Sequence, residues 1–403
     1  MSGGRGGIGG KEMLQLRFHF GERDRCGEGP LEAAVMAACA RRGVRAAVLL
    51  RGVEGFGAKQ RLRTERLLSL SEDTPLVVVA VGEAQVVEGL ADDVRGMASE
   101  GLVVLEGTEE WGEGRGGGDV TTGTATTSAG EVAAPVATRG DEAGGSAGGA
   151  PGEGEGGAQR DVVKVTIWGR RSGSASPHLS AVAALHRHGA EAATVLLGVD
   201  GVLDGERRRA RFVASNRGVP AMTVAIGARA AIDAALAEVD GGAHLVTVEA
   251  VETYRRIATV SLHSEGGMAQ NSDIDRVSLH AEAGVEPKLP IEPPSLHGVA
   301  ARVTLVTSEI ARSGAHPRYL ELIHELRREG AAGATALRGV WGFRGGGEPH
   351  GDRVLALRRD VPMLVEVVDA PERAARWNEI ALSLVGDGDV VYSQSIPRTF
   401  TLE

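Results

Sequence analysis

The sequence predicts an α+β protein made of three tandem copies of one β-α-β-β-α-β unit, and three observations carry the prediction. The tetrapeptide Gly-Val-x-Gly stands at residues 52–55, 198–201 and 339–342, successive copies being 146 and 141 residues apart. Its neighbours hold their spacing. A Gly lies nine residues before each copy (Gly43, Gly189, Gly330), and prolines flank each at 21 to 23 residues on either side (Pro30, Pro177, Pro317 and Pro75, Pro220, Pro362). The same order of apolar runs and helical periodicities recurs around every copy.

Each unit opens with an apolar strand (14–20, 163–168, 302–307). A polar turn leads to a helix with one apolar face: Leu31, Ala34, Val35 and Ala38, then Leu179, Val182 and Leu185, then Leu320, Ile323 and Leu326. Gly43, Gly189 and Gly330 stand where a helix end favours a residue without a Cβ, so each helix stops at the same point. A second strand (47–50, 194–197, 335–337) enters the Gly-Val-x-Gly segment, which reads as a loop, and a third follows the proline (76–81, 222–226, 363–368). A second helix (83–99, 228–239, 371–385) and a last strand (102–105, 245–248, 390–392) complete the unit. This order is the ferredoxin-like arrangement, one sheet with two helices on one face. The strands are apolar at consecutive positions, which suits sheets covered on both sides. Three units can cover those faces on one another.

The expected division is 12–110, a linker at 111–160, 161–252, a connector at 253–299, and 300–397. Residues 112–160 hold 16 Gly and carry seven acids against three Arg, a composition that cannot offset ordering entropy by burial. A total of 44 Lys+Arg against 54 Asp+Glu gives a formal charge of -10, which argues against a nucleic-acid binder. No apolar run reaches about 18 residues, and Cys26 and Cys39 read as two ordinary thiols in a reducing compartment. A soluble cytoplasmic protein is expected.

The first unit carries Gly21-Glu22-Arg23-Asp24-Arg25, the run Leu49-Leu50-Arg51-Gly52-Val53-Glu54-Gly55-Phe56-Gly57, and the run from Leu67 to Pro75. With these residues it resembles the PII-like proteins catalogued as domain of unknown function 190 (UPF0166). The third unit is similar but weaker, keeping Leu337-Arg338-Gly339-Val340-Trp341-Gly342-Phe343. The second departs most, with Leu197 where the others have Arg51 and Arg338. The resemblance implies a trimeric packing contained in one monomeric chain, with a small ligand, an adenine nucleotide being one candidate effector, in clefts between units. It also implies a regulated partner, a membrane transporter or channel being one candidate.

The residues themselves point to the segment after the second strand. Residues 51–66 contain Arg51, Lys59, Arg61, Arg63 and Arg66 against Glu54 and Glu65, a positive island in an acidic protein that favours an anionic ligand. Gly52, Gly55 and Gly57 would let the backbone turn with positive φ and bring N–H groups close to that ligand. The third unit offers Arg338, Gly339, Gly342 and Arg344, and the second Arg207, Arg208, Arg209 and Arg211. Against this, Gly-Val-x-Gly between strands is also an ordinary turn or bulge. Glu22 and Asp24 either brace Arg51 or Arg61 across a cleft or cap the first helix. His186 and His188 point to different sides of a helix and read as surface residues. No nucleophile elbow, Walker motif or zinc-protease motif occurs. The reading is a non-catalytic regulatory protein with an anionic effector; a ligand-free scaffold and, third, a nucleotide-acting enzyme are the alternatives.

Overall fold

A computed structural model describes residues 13–65, 73–112, 161–172, 176–211, 216–239, 244–254, 296–351 and 360–402. The connectors expected at 111–160 and 253–299 lie almost wholly outside these residues, as do Arg66, residues 67–72, Asp352 and Arg353. All three repeats belong to one compact unit. No described helix is long and apolar enough to cross a membrane.

The described residues form a mixed α+β structure with six α-helices and antiparallel strands. The first repeat comprises β1 (Met13–Gly21), α1 (Leu31–Arg42), β2 (Ala46–Phe56), β3 (Pro75–Glu83), α2 (Ala84–Met97) and β4 (Gly101–Glu110). β1 lies between β3 and β4, with β2 on the far side of β3. The second has β5 (Val162–Arg170), α3 (Pro177–Arg187), β6 (Ala192–Leu197), a hairpin of β7 (Asp200–Leu203) and β8 (Glu206–Arg209), β9 (Pro220–Ala228), α4 (Arg229–Glu238) and β10 (Leu245–Tyr254). The third has β11 (His297–Ser308), α5 (Arg318–Arg328), β12 (Gly333–Arg338), β13 (Trp341–Arg344), β14 (Pro362–Asp369), α6 (Ala374–Leu384) and β15 (Val390–Leu402). Their pairings repeat those of the first. Gly43, Gly189 and Gly330 take left-handed φ values of 70°, 79° and 76°, ending α1, α3 and α5 alike.

The sheets do not stay separate, and the expected Gly-Val-x-Gly loop is strand throughout in the first repeat and strand from its third residue, Asp200 or Trp341, in the second and third. β2 continues through Gly52-Val53-Glu54-Gly55 and pairs with β12 of the third repeat, Gly55 opposite Thr335. The same segment of the second repeat pairs as β7 with β2, and that of the third as β13 with β6. The crossings thus run first to third, third to second and second to first, closing a cycle. Glycine is needed because backbones meet here: a Cβ on Gly55 would lie 2.7 Å from the Ala334 carbonyl oxygen, and one on Gly201 2.7 Å from that of Ala47. On Gly342, at φ 154°, the distance to the Ala193 oxygen would be 2.0 Å. Gly52, Gly55 and Gly57 have no positive φ, contrary to the sequence reading.

A second cycle runs the other way. The end of β4 pairs with β10, the end of β10 with β15, and the end of β15 with β4. Each end places an aromatic at the same register in the next repeat. Trp111 donates its backbone N–H to Val246 O, Tyr254 pairs with Val391, and Phe400 with Val103. Trp111 packs on the second repeat's sheet-helix core, Tyr254 on the third's, and Phe400 on the first's. Trp111 Nε1 also donates to Asp233 on α4, and the Arg95 guanidinium of α2 lies 4.2 Å from the Phe400 ring centre.

Between the repeats, Val48, Leu50, Val77, Val79, Trp168, Leu196, Met222, Leu337 and Leu364 form a shared apolar core. Beside it lies a fully buried ionic network with three cations, Arg17, Lys164 and Arg302, and three acids, Glu106, Glu249 and Glu366. Gln15, Lys164 and Arg302 hold equivalent positions on the first strands, opposite Glu106, Glu249 and Gln394 on the last. The links cross repeats: Arg17 to Glu366 at 2.8 Å, Arg302 to Glu106 at 2.8 Å, Lys164 to Gln394 at 3.1 Å and Thr108 to Glu249 at 2.9 Å. Burial alone would push the Glu106 carboxyl up, but Arg302, Lys164 and Arg17 outweigh it and hold it well below the usual carboxylate range. Burial drives His19, beside this network, down to about 4, so it is neutral.

Candidate functional site

The β2–β12 crossing brings predicted residues of the first and third repeats together. The ladder ends at Gly52 opposite Leu337, so Arg51 and Arg338, the next residue on each strand, emerge at the same end. Their side chains are 41 % and 30 % exposed. Carboxylates hold both. Arg51 pairs with Glu22, which also accepts a hydrogen bond from Thr74 Oγ1 at 2.6 Å. Arg338 bridges Glu65 of the first repeat at 3.0 Å and Glu309 of its own at 2.9 Å.

The acidic turn after β1 has a structural use that the sequence left open. Gly21 makes room for Arg63, since a Cβ there would lie 2.4 Å from its guanidinium carbon. Arg63 reaches Asp73 at 3.3 Å and Asp24 at 3.5 Å, and Asp24 accepts the Gly21 N–H at 2.7 Å. Burial raises the Asp24 carboxyl despite these partners. α1 has no side-chain cap, so Glu22 braces Arg51 and neither acid caps the helix.

Farther along β2, buried Glu54 accepts from Thr64 Oγ1 at 3.3 Å and lies 3.1 Å from Nε2 of His324 on α5. The hydrogen bond to Glu54 raises the His324 pKa above its ordinary value. Beyond it, Gln60 donates from Nε2 to Ala331 O at 2.7 Å and accepts from Arg327 Nε at 2.8 Å, tying the root of the predicted loop to the third repeat. Tyr319, at the second position of α5, is buried in the third repeat's apolar core, and burial is the main cause of its raised pKa, with smaller electrostatic effects from Arg338, Glu309, Glu54 and Glu65. Sequence reading missed His324, Gln60, Arg327 and Tyr319 because no local pattern links them to residue 54.

The positive island is largely neutralised in place. Lys59 pairs with Glu100 at 2.5 Å, and among the described residues only Arg61 of these cations has no acidic partner. Gly57 is exposed, with open space where a Cβ would sit. Gly339, Gly342 and Arg344 belong to a different crossing, between the third and second repeats. There Arg344 bonds the fully buried Asp389 carboxylate at 3.0 Å, and Arg318 shares that carboxylate. His186 packs its ring edge on Phe343, and His188 pairs with Glu238. Among the described residues no group of three or more His, Cys, Asp or Glu is placed to hold a metal ion. An open cavity of about 790 Å³ lies elsewhere, lined by Leu14, Glu83, Glu88 and Arg398, and contains none of the predicted residues.

Residues 13–109, 170–253 and 300–395 each match the model of one family, DUF190, described as Uncharacterized ACR, COG1993. The chain belongs to this family. A curated relative, the UPF0166 protein of Aquifex aeolicus (strain VF5), is 26% identical over 100 residues, which cover 25% of this chain but 91% of the relative. One DUF190 relative therefore has the length of one repeat, in keeping with three tandem DUF190 copies here. An aspartate kinase structure from Synechocystis aligns with 95% of this chain at a TM-score of 0.25 and 8% identity. The chain spans 43% of that kinase's length.

Proposed function

We propose that this DUF190 chain is a non-catalytic, PII-like regulatory protein. Its three ferredoxin-like repeats act as an intrachain pseudo-trimer that binds a small anionic effector, an adenine nucleotide being the first candidate, in the cleft between the first and third repeats. One observation carries the reading: Arg51 and Arg338 emerge together at the end of the β2–β12 ladder, partly exposed and, among the described residues, held by carboxylates alone. A phosphate can replace those carboxylates, since its oxygens match a guanidinium in the same way. Occupancy would reach a partner, a membrane transporter or channel being one candidate, through the segment after β2, whose root at Gln60 is fixed to α5. The second reading, a ligand-free scaffold, is favoured by the ion pairs that already satisfy most of these cations.

Calorimetry with ATP, ADP, AMP, cyclic dinucleotides and bicarbonate separates the two. The proposal expects binding by at least one of them, weakened tenfold or more in Arg51→Ala/Arg338→Ala. Absence of heat from all of them at millimolar concentration supports the scaffold, and unchanged affinity in the double variant moves the site elsewhere.

A further inference from the structure

The second repeat, which lost the arginine at the cleft, carries a different basic feature. In its hairpin, β8 pairs only with β7 among the described residues, and Asp204 and Gly205 make the two-residue turn with φ 49° and 78°. That turn sets the register. Glu206 and Arg208 direct their backbone groups at β7, so the N–H and C=O groups of Arg207 and Arg209 point to the free edge. Glu206, Arg208 and Arg209 are exposed, and so are Arg211 and Arg217 just beyond the strand. The Arg211 N–H donates to Asn216 Oδ1 at 2.7 Å, which holds Arg211 beside the residue that precedes Arg217.

The hairpin's acids are already engaged. Asp200 is buried against Arg207 at 2.6 Å, Glu206 is shared by Arg170 and Arg208, and Asp204 faces His244. Among the described residues Arg209 has only Glu32, at 3.5 Å, as an acidic partner, and Arg211 and Arg217 have none. An edge strand often carries charge simply to discourage pairing with another chain. Arginines deter basic or apolar strands, however, and attract acidic ones. The equivalent short strands of the other repeats, Arg63–Thr64 and His350–Gly351, have no such run.

We propose that β8 is a docking edge for an extended, acidic segment of a partner protein, which adds as a strand beside Arg207 and Arg209 and places its carboxylates against Arg208, Arg209, Arg211 and Arg217. Backbone pairing supplies the geometry and the arginines supply the selectivity.

The test is fluorescence anisotropy of the full chain with a labelled peptide repeating Glu-Glu-Val-Val, which presents carboxylates on both faces of an added strand. Three comparison probes are the same peptide N-methylated at alternate residues, anionic phosphatidylserine vesicles, and duplex DNA. Binding of the unmodified peptide is expected, falling at least tenfold on N-methylation and at least tenfold in Arg208→Glu/Arg209→Glu. Far-UV circular dichroism confirms that the variant is folded, and Arg208→Lys/Arg209→Lys should restore part of the affinity. Equal binding of the N-methylated peptide, tighter binding of vesicles or DNA, no peptide binding at millimolar concentration, or a folded Glu variant with unchanged affinity each overturns the proposal.

Discussion

Gly55→Ala isolates what the repeated Gly-Val-x-Gly segment does. The added Cβ would sit 2.7 Å from the Ala334 carbonyl oxygen and 3.3 Å from Thr335 Cα, both backbone of the third repeat, and 3.3 Å from Pro75 Cγ. Backbone cannot swing away as a side-chain tip does, so β2 and β12 must separate by about half an ångström. Overpacking of this kind costs about 1–3 kcal/mol. Removing a glycine from the unfolded chain returns about 0.4–1 kcal/mol, leaving a net loss of roughly 1–2 kcal/mol. Gly57→Ala is the matched control. It stands two residues on, has no positive φ and meets nothing within 4 Å, so it should be neutral or gain up to about 1 kcal/mol. Urea denaturation followed by circular dichroism measures both. If Gly55→Ala is as stable as Gly57→Ala, the glycines do not serve the crossing, and the loop-and-ligand reading of the motif regains its place.

Removing one member of the buried network should cost more than removing a pair. Arg302→Met leaves Glu106 short of its 2.8 Å partner and should destabilise by about 3–5 kcal/mol, with Glu106→Gln added in the same chain recovering part of it; denaturation midpoints check this, and no recovery in the double variant contradicts it. The buried His19, held at about 4 against an ordinary 6.5, takes up its proton in the unfolded chain first. Its contribution is therefore complete above pH 6.5 and is lost as pH falls to about 4, a change of about 3 kcal/mol. His178, also at about 4 through burial, acts the same way, whereas Asp24 and Asp369, raised by burial, oppose it. The readout is the difference from His19→Gln, whose stability should fall less steeply across that range; parallel profiles would refute the assignment. Phe400→Ala should cost about 3 kcal/mol and speed hydrogen exchange in the second half of β15, because that ring anchors the last strand in the first repeat's core. Unchanged exchange there would mean that the aromatic is incidental.

The repeat and its element order were legible because glycine caps and prolines mark them locally: Gly43, Gly189 and Gly330 end helices in the same conformation. The crossings were not. Gly52 and Gly55 look the same in sequence whether they relieve a turn or admit a neighbouring backbone, and only the partner, 280 residues away, decides. One long-range signal was present but unread: Trp111, Tyr254 and Phe400 are 143 and 146 residues apart, close to the repeat itself. The buried charges were hidden by their surroundings, since Arg17, Lys164 and Arg302 sit in strands that read as apolar. At the candidate site the sequence located Arg51, Glu22, Glu54 and Arg338. It overstated the local positive charge because the neutralising Glu100, Asp24 and Asp73 lie outside the segment that was counted.

The central claim is that the three repeats close on one another within a single chain. Leu102 and Thr401 face each other across the β4–β15 pairing, 299 residues apart in sequence. Antiparallel partners have Cα atoms about 4.5–5.5 Å apart, within disulfide range. In a chain carrying Cys26→Ser and Cys39→Ala, the pair Leu102→Cys/Thr401→Cys should oxidise to an intrachain bond, giving one-chain mass on non-reducing electrophoresis and a linked 102–401 peptide by mass spectrometry. Bands at two or three chain masses, or cysteines that stay free under oxidation, would contradict it.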